Sequence, residues 1–190
     1  MKTTLTLAKL LGALLVTLTI ALSSKEAHAL GPIGIEVGAQ VGYGSSPGGA
    51  AVNPLGIGLG GRAGITFFNI YAGAKIMDYI GSGDTVGGQY HALQYGGEIG
   101  YGFSISVLTI RPQFGIGDIS LSGSNVLPSG SSLYLEPGAV ALITIGIVYF
   151  GADASALMIT SEPAYGQGNL QLTTNFQTGF TAHGQLGLSF

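Results

Sequence analysis

The run Phe180-Thr-Ala-His-Gly-Gln-Leu-Gly-Leu-Ser-Phe190 separates into two faces when read at period two. Phe180, Ala182, Gly184, Leu186, Leu188 and Phe190 fall on one side, and Thr181, His183, Gln185, Gly187 and Ser189 on the other. Successive side chains of a strand point to opposite sides of a sheet. The run therefore reads as a strand with one apolar face and one small or polar face, ending on an aromatic residue. That is the pattern of the closing strand of a membrane-spanning barrel.

The same alternation recurs back along the chain, broken by Gly, Ser, Pro and Asn clusters. It predicts strands over 33–43, 55–67, 70–80, 90–103, 107–117, 133–143, 147–158 and 176–190. The joins alternate long and short. Long ones cover 44–54, 81–89, 118–132 and 159–174; short ones fall at Phe68-Asn69, near Ser104-Ile105 and at 144–146. An even number of strands with this loop asymmetry predicts an all-β, eight-stranded, antiparallel up-and-down transmembrane barrel, with both termini on the short-turn, periplasmic side. Pro112 and Pro137 lack an N–H for the ladder and predict bulges or local breaks in pairing.

The charge count supports the membrane. Only 8% of residues are charged, against about a quarter in a soluble domain, so a charged coat is not available. Residues 1–29 read as a cleaved signal peptide: Lys2 and Lys9, an apolar run over 10–22 too short to span comfortably, and the small-x-small site Ala27-His28-Ala29. That leaves one domain, residues 30–190, in which Arg62, Lys75 and Arg111 are the only Lys or Arg. So few cations argue against nucleic acid, and the absence of cysteine removes thiol chemistry and disulfides.

Each predicted strand carries one ionisable residue on its polar face: Glu36, Arg62, Lys75, Glu98, Arg111, Glu136, Asp153 and His183. A Lys or Arg facing lipid at the bilayer midplane costs roughly 2–4 kcal/mol, so this face is the lumen. A four-residue turn at 103–106 sets Glu98 opposite Arg111, and a hairpin placing Tyr43 opposite Leu55 sets Glu36 opposite Arg62. Because a closed barrel is staggered, the set should form a sloping belt of offset pairs, with Gln40, Gln94, Gln113, Thr109 and Thr181 as further hydrogen-bonding partners. A narrow eight-stranded interior favours a plug; a small gated pore with exchanging Glu–Arg pairs is the alternative. Tyr43, Tyr79, Tyr90, Tyr134 and Phe176 toward the long loops, and Phe67, Tyr101, Phe103, Phe150 and Phe190 toward the turns, suggest two interfacial girdles.

On this alternation and the terminal aromatic, the mature chain resembles the small outer-membrane barrels of the OmpA/OmpX type. The resemblance implies a Gram-negative outer-membrane location among outer-membrane lipids. It also implies that Leu186, Leu188 and Phe190 form a signal read by the barrel-assembly machinery. The usual glycine five positions before the end is replaced by Gln185, with Gly184 beside it.

The expected role is non-enzymatic: envelope structure or surface contact through the extracellular loops, whose ligand the residues do not specify. A lipid-modifying enzyme needs an activated nucleophile. His183 points into the barrel with no serine at a convincing spacing, and His91 lies on the outward parity near the rim, so packing or rim roles are expected for both. A soluble lipid-binding barrel would leave too poor a solvent face. The acids Asp78, Asp84, Asp118 and Glu162 lie in or beside the long loops without metal-ligand spacing, so neither metal nor cofactor is expected.

Overall fold

The computed structural model describes residues 33–45, 47, 53–81, 91–122, 130–160 and 176–190. The signal peptide expected over 1–29, the mature start at Leu30, and Asp84, Tyr90 and Glu162 lie outside the described residues.

The strands are β1 (Ile33–Gly44), β2 (Gly56–Phe67), β3 (Ile70–Ile80), β4 (His91–Tyr101), β5 (Phe103–Ile105), β6 (Leu108–Ser122), β7 (Gly130–Ile145), β8 (Val148–Thr160) and β9 (Phe176–Ser189). Each pairs antiparallel with its sequence neighbour, except that β4 and β5 both pair with β6, and β1 pairs with β9. β4 and β5 form one stave, so the sheet closes as an eight-stranded barrel with no free edge. The division of that stave has a local cause. The β4 ladder ends at Gly100 opposite Gln113 and β5 resumes at Phe103 opposite Ile110. Between them Tyr101 faces Pro112, which has no N–H to give.

No residue is inserted at Pro112, where a bulge was one expectation; the pairing lapses instead. At Pro137 the expected bulge is likewise absent. Pairing with β8 stops at Leu135–Met158 and resumes at Gly138–Ser155 in the same register.

Hydrogen-bonded partners traced once around the wall define the stagger. Starting at Gly34, the path runs through Thr66, Tyr71, Gly100, Gln113, Gly138, Ser155 and Thr181 and returns to β1 at Gly44, ten residues further along. With strands about 4.8 Å apart and about 3.3 Å of rise per residue, this gives a tilt of about 40° and a wall radius of about 8 Å.

The three described short connections are two-residue turns: Phe68-Asn69, Ser106-Val107 and Gly146-Ile147. Phe68, Ser106 and Gly146 have φ of 45°, 57° and 64°, the positive values that primed hairpin turns demand. The second and third turns thus sit two or so residues beyond the positions expected from sequence. β6 also extends to Ser122, so Asp118 is a strand residue paired with Tyr95 and Leu133.

The polarity of the wall is inverted relative to a soluble barrel. Ile57 and Leu59 are 67% and 68% exposed on the outside, whereas Arg111 and Lys75 are 2% and 4% exposed inside. On β1 the outward residues run from Ile33 to Tyr43. Those ten steps, tilted by about 40°, rise about 25 Å along the axis, the height of the apolar band of an outer-membrane barrel.

Candidate functional site: the buried lumen network

Tilt and stagger bring the eight lumen residues expected from sequence into the middle of the barrel, all buried. Their partners differ from the expected ones. Glu36 lies opposite Gly64 and Glu98 opposite Gly115, so neither ladder pair, Glu36–Arg62 or Glu98–Arg111, exists. The reason is register: β1–β2 and β5–β6 are joined further along the chain than the assumed hairpins, which slides the charges past one another.

The ion pairs cross the interior instead. Arg111 Nη1 on β6 lies 3.0 and 2.9 Å from the two carboxylate oxygens of Glu36 on β1. Arg62 on β2 meets Glu98 on β4 at 2.9 Å. Lys75 on β3 pairs with Glu136 on β7, and only Asp153 and His183, 2.6 Å apart, are direct ladder neighbours. β1 and β6 are four staves apart in a ring of eight, so the Glu36–Arg111 pair spans the full diameter.

Neutral groups tie these pairs together. Gln40 Nε2 donates to Asp153 (3.0 Å), Gln94 Nε2 and Thr181 Oγ1 donate to Glu136 (2.9 and 2.8 Å), and Arg62 Nη2 donates to Gln113 Oε1 (3.1 Å). Thr109 is not part of the network; its hydroxyl meets Ser104 near the turn end. Thr66 donates to Glu36 at 3.1 Å. Two guanidinium groups lie against Tyr71, their central carbons 3.8 Å (Arg111) and 4.9 Å (Arg62) from its ring centroid. Such buried pairs offset the loss of water only when their remaining donors and acceptors are met. These neighbours do so in part, while Arg111 Nε and Nη2, Gln40 Oε1 and Gln185 Nε2 are buried without a hydrogen-bond partner among the described residues.

Tyrosine–glycine contacts make room for the network. A Cβ at Gly58 would lie 2.5 Å from the Tyr79 ring, one at Gly64 2.5 Å from Tyr71, and one at Gly187 2.5 Å from Tyr149. Each ring lies where the facing wall has no side chain. Tyr79 and Tyr134 are fully buried in the lumen, a correction to their expected place in the outer girdle; Tyr43 and all five turn-side aromatics do face outward.

Two apolar clusters close the network off. Leu55, Met77, Tyr79, Ala92, Ile119, Tyr134, Leu157 and Ile159 pack together at the long-loop end, and Val140, Leu142 and Tyr149 toward the turn end. This layer was not anticipated from sequence, although the signal was present. Met77 shares strand parity with Lys75, Ile119 with Arg111, and Tyr134 with Glu136.

The geometry bears on two chemical possibilities. His183 Nδ1 faces Asp153 and its Nε2 lies 2.6 Å from Tyr79 Oη, an Asp–His–hydroxyl order. Tyr79 is nevertheless 0% exposed within the apolar cluster, so that hydroxyl is closed to solvent in this arrangement. Among the described residues no group of three or more His, Cys, Asp or Glu could hold a metal ion.

An eight-stranded antiparallel wall of this stagger, apolar outside and ionic inside, is the fold of the small outer-membrane β-barrels. Solved structures of that class match it. Neisserial surface protein A has a TM-score of 0.56 at 11% identity, over 83% of this chain and 96% of that one. Ail, the attachment invasion locus protein of Yersinia pestis, solved with the heparin analogue sucrose octasulfate, has a TM-score of 0.50 at 16% identity, over 83% and 97%. A major outer membrane protein from Thermus thermophilus has a TM-score of 0.50 at 10% identity, over 83% and 99%. No protein-family pattern matches the chain, and no curated protein matches it either.

Proposed function

We propose that this protein is an integral outer-membrane barrel with a plugged lumen, a non-enzymatic component of the envelope that acts in envelope structure or in surface contact through its long loops. The observation that carries the reading is the Glu36–Arg111 pair spanning the lumen between opposite staves. A wall about 8 Å in radius, crossed by ion pairs and capped by apolar clusters, has the makings of a closed cylinder. The outward apolar band supplies the lipid-facing surface, and the long loops are then extracellular and both termini periplasmic.

The non-enzymatic reading rests on the sealed position of Tyr79 and His183. Leu186, Leu188 and Phe190 would serve the barrel-assembly machinery. Phe190 exchanges backbone hydrogen bonds of 2.9 Å with Ile35, so the proposed signal also completes closure of the wall.

Reconstitution into planar bilayers tests the plug. The expected result is insertion without steady conductance. Sustained ion-selective steps from the unaltered chain would favour the gated pore and overturn this reading.

A further inference from the structure

Leu55 and Ile57 share sequence parity, yet Leu55 is fully buried and Ile57 is 67% exposed. The reversal occurs at Gly56, whose φ is +67° and whose missing side chain leaves room for the Ile80 carbonyl. Only glycine adopts that conformation freely, so the chain folds inward there and lays Leu55 over the mouth of the lumen. Gly44 receives it: a Cβ at Gly44 would lie 2.7 Å from that of Leu55.

Asn53 fixes the fold-over. Its Oδ1 accepts from the Leu55 N–H at 3.0 Å, and its Nδ2 donates to the Gly44 carbonyl at 2.7 Å and to Tyr43 Oη at 3.1 Å. Leu55 shares one apolar cluster with Met77 and Tyr79. The Tyr79 hydroxyl already belongs to the polar network, 2.6 Å from His183 and 3.3 Å from Gln94. On the Leu55 side of the mouth, a single tyrosine therefore links the apolar seal to the ionic interior.

We propose that Asn53–Leu55 is a latch closing the loop-end mouth of the lumen, and that its release opens the upper interior to water while the turn end stays shut. The proposal deepens the plugged-lumen reading and rests on it. The latch is separable because it grips the wall through an apolar side chain and a side-chain amide at the edge of the barrel, whereas the turn-end cluster is built on β7 and β8 themselves.

The chain has no cysteine, so a single introduced thiol reports water access without background. The full chain, purified in detergent, would carry Met77→Cys under the latch or Leu142→Cys at the turn end, each with and without Leu55→Ser or Asn53→Ala. A small charged methanethiosulfonate is the probe. The expected result is slow modification of both reporters in the latched protein and at least a tenfold acceleration at Met77→Cys alone on either latch change. Equal rates at Met77→Cys with and without the latch change would overturn the proposal, as would acceleration of both reporters together, which signals general loosening. Fast modification of both in the latched protein would instead overturn the plugged lumen itself.

Discussion

Arg111 and Glu36 sit on opposite staves of the barrel and meet in its middle, with one guanidinium nitrogen 3.0 and 2.9 Å from the two carboxylate oxygens. The Arg111 side chain is 2% exposed and that of Glu36 12%, so Arg111 above all has little water to fall back on if its partner is lost. Removing one partner of a buried pair costs about 3–5 kcal/mol because a bare charge remains. Arg111→Met should therefore lower the unfolding midpoint sharply, measured by urea titration of the folded band on a cold gel. The double change Arg111→Met with Glu36→Gln should recover most of the loss; a double variant as weak as the sum of the two singles would contradict the pairing.

The tyrosine seats predict a size rule. Gly64→Val places branched carbon against the Tyr71 ring, where even a Cβ would be 2.5 Å away. Overpacking of this kind costs typically about 1–3 kcal/mol. Adding Tyr71→Ala should relieve that clash while incurring its own packing loss, so the two changes combine non-additively in the same urea titration. Strict additivity would show that the ring does not occupy the space above Gly64.

Depth along the outer wall sets the tolerance for charge. Ala74 faces outward near mid-height of β3, while Ile80 faces outward at its loop end. Ala74→Arg should destabilise the barrel in lipid by about 2–4 kcal/mol and Ile80→Arg by about 0–1 kcal/mol. Equal costs at both positions would mean that the band does not face hydrocarbon. Asp78, exposed and two residues from the end of β3, marks where the wall already carries an outward charge.

The class of fold was legible because period-two alternation survives small errors in strand limits. Glu36, Arg62 and the other lumen charges share parity with glycines and amides, and parity alone assigns them to one face. Partner identity depends on something different. A shift of two residues between β1 and β2 leaves every side chain on its correct face but moves Glu36 from Arg62 to a position opposite Gly64. Which residues meet across the lumen depends further on the ten-residue stagger, a property of all the registers together.

Leu55 illustrates the opposite failure. Its parity assigned it to the outer face with Ile57, and only the positive φ at Gly56 turns it inward. A glycine within a glycine-rich strand start gives no sequence sign that it, and not its neighbours, carries the bend. Tyr79 and Tyr134 were legible by parity and were misassigned because aromatic residues near strand ends also suit an interfacial girdle.

The last strand offers another test. Phe190 donates to and accepts from Ile35 at 2.9 Å, one strand around from its β8 neighbours. Deleting Phe190 removes both bonds and the outward aromatic. The yield of heat-modifiable barrel in membranes should fall severalfold, while the yield from detergent refolding should fall less. Equal loss in both settings would assign Phe190 to closure alone and not to recognition by the assembly machinery.

The apolar face points outward and the charges point inward, and on the proposed reading the outward face meets lipid. Gel mobility of the purified chain in mild detergent, with and without boiling, tests this central claim most directly when combined with protease treatment. A compact band that shifts on boiling and resists protease except at the loops is the expected result. A chain that folds in plain buffer, shows no heat-dependent shift and needs no detergent would contradict it.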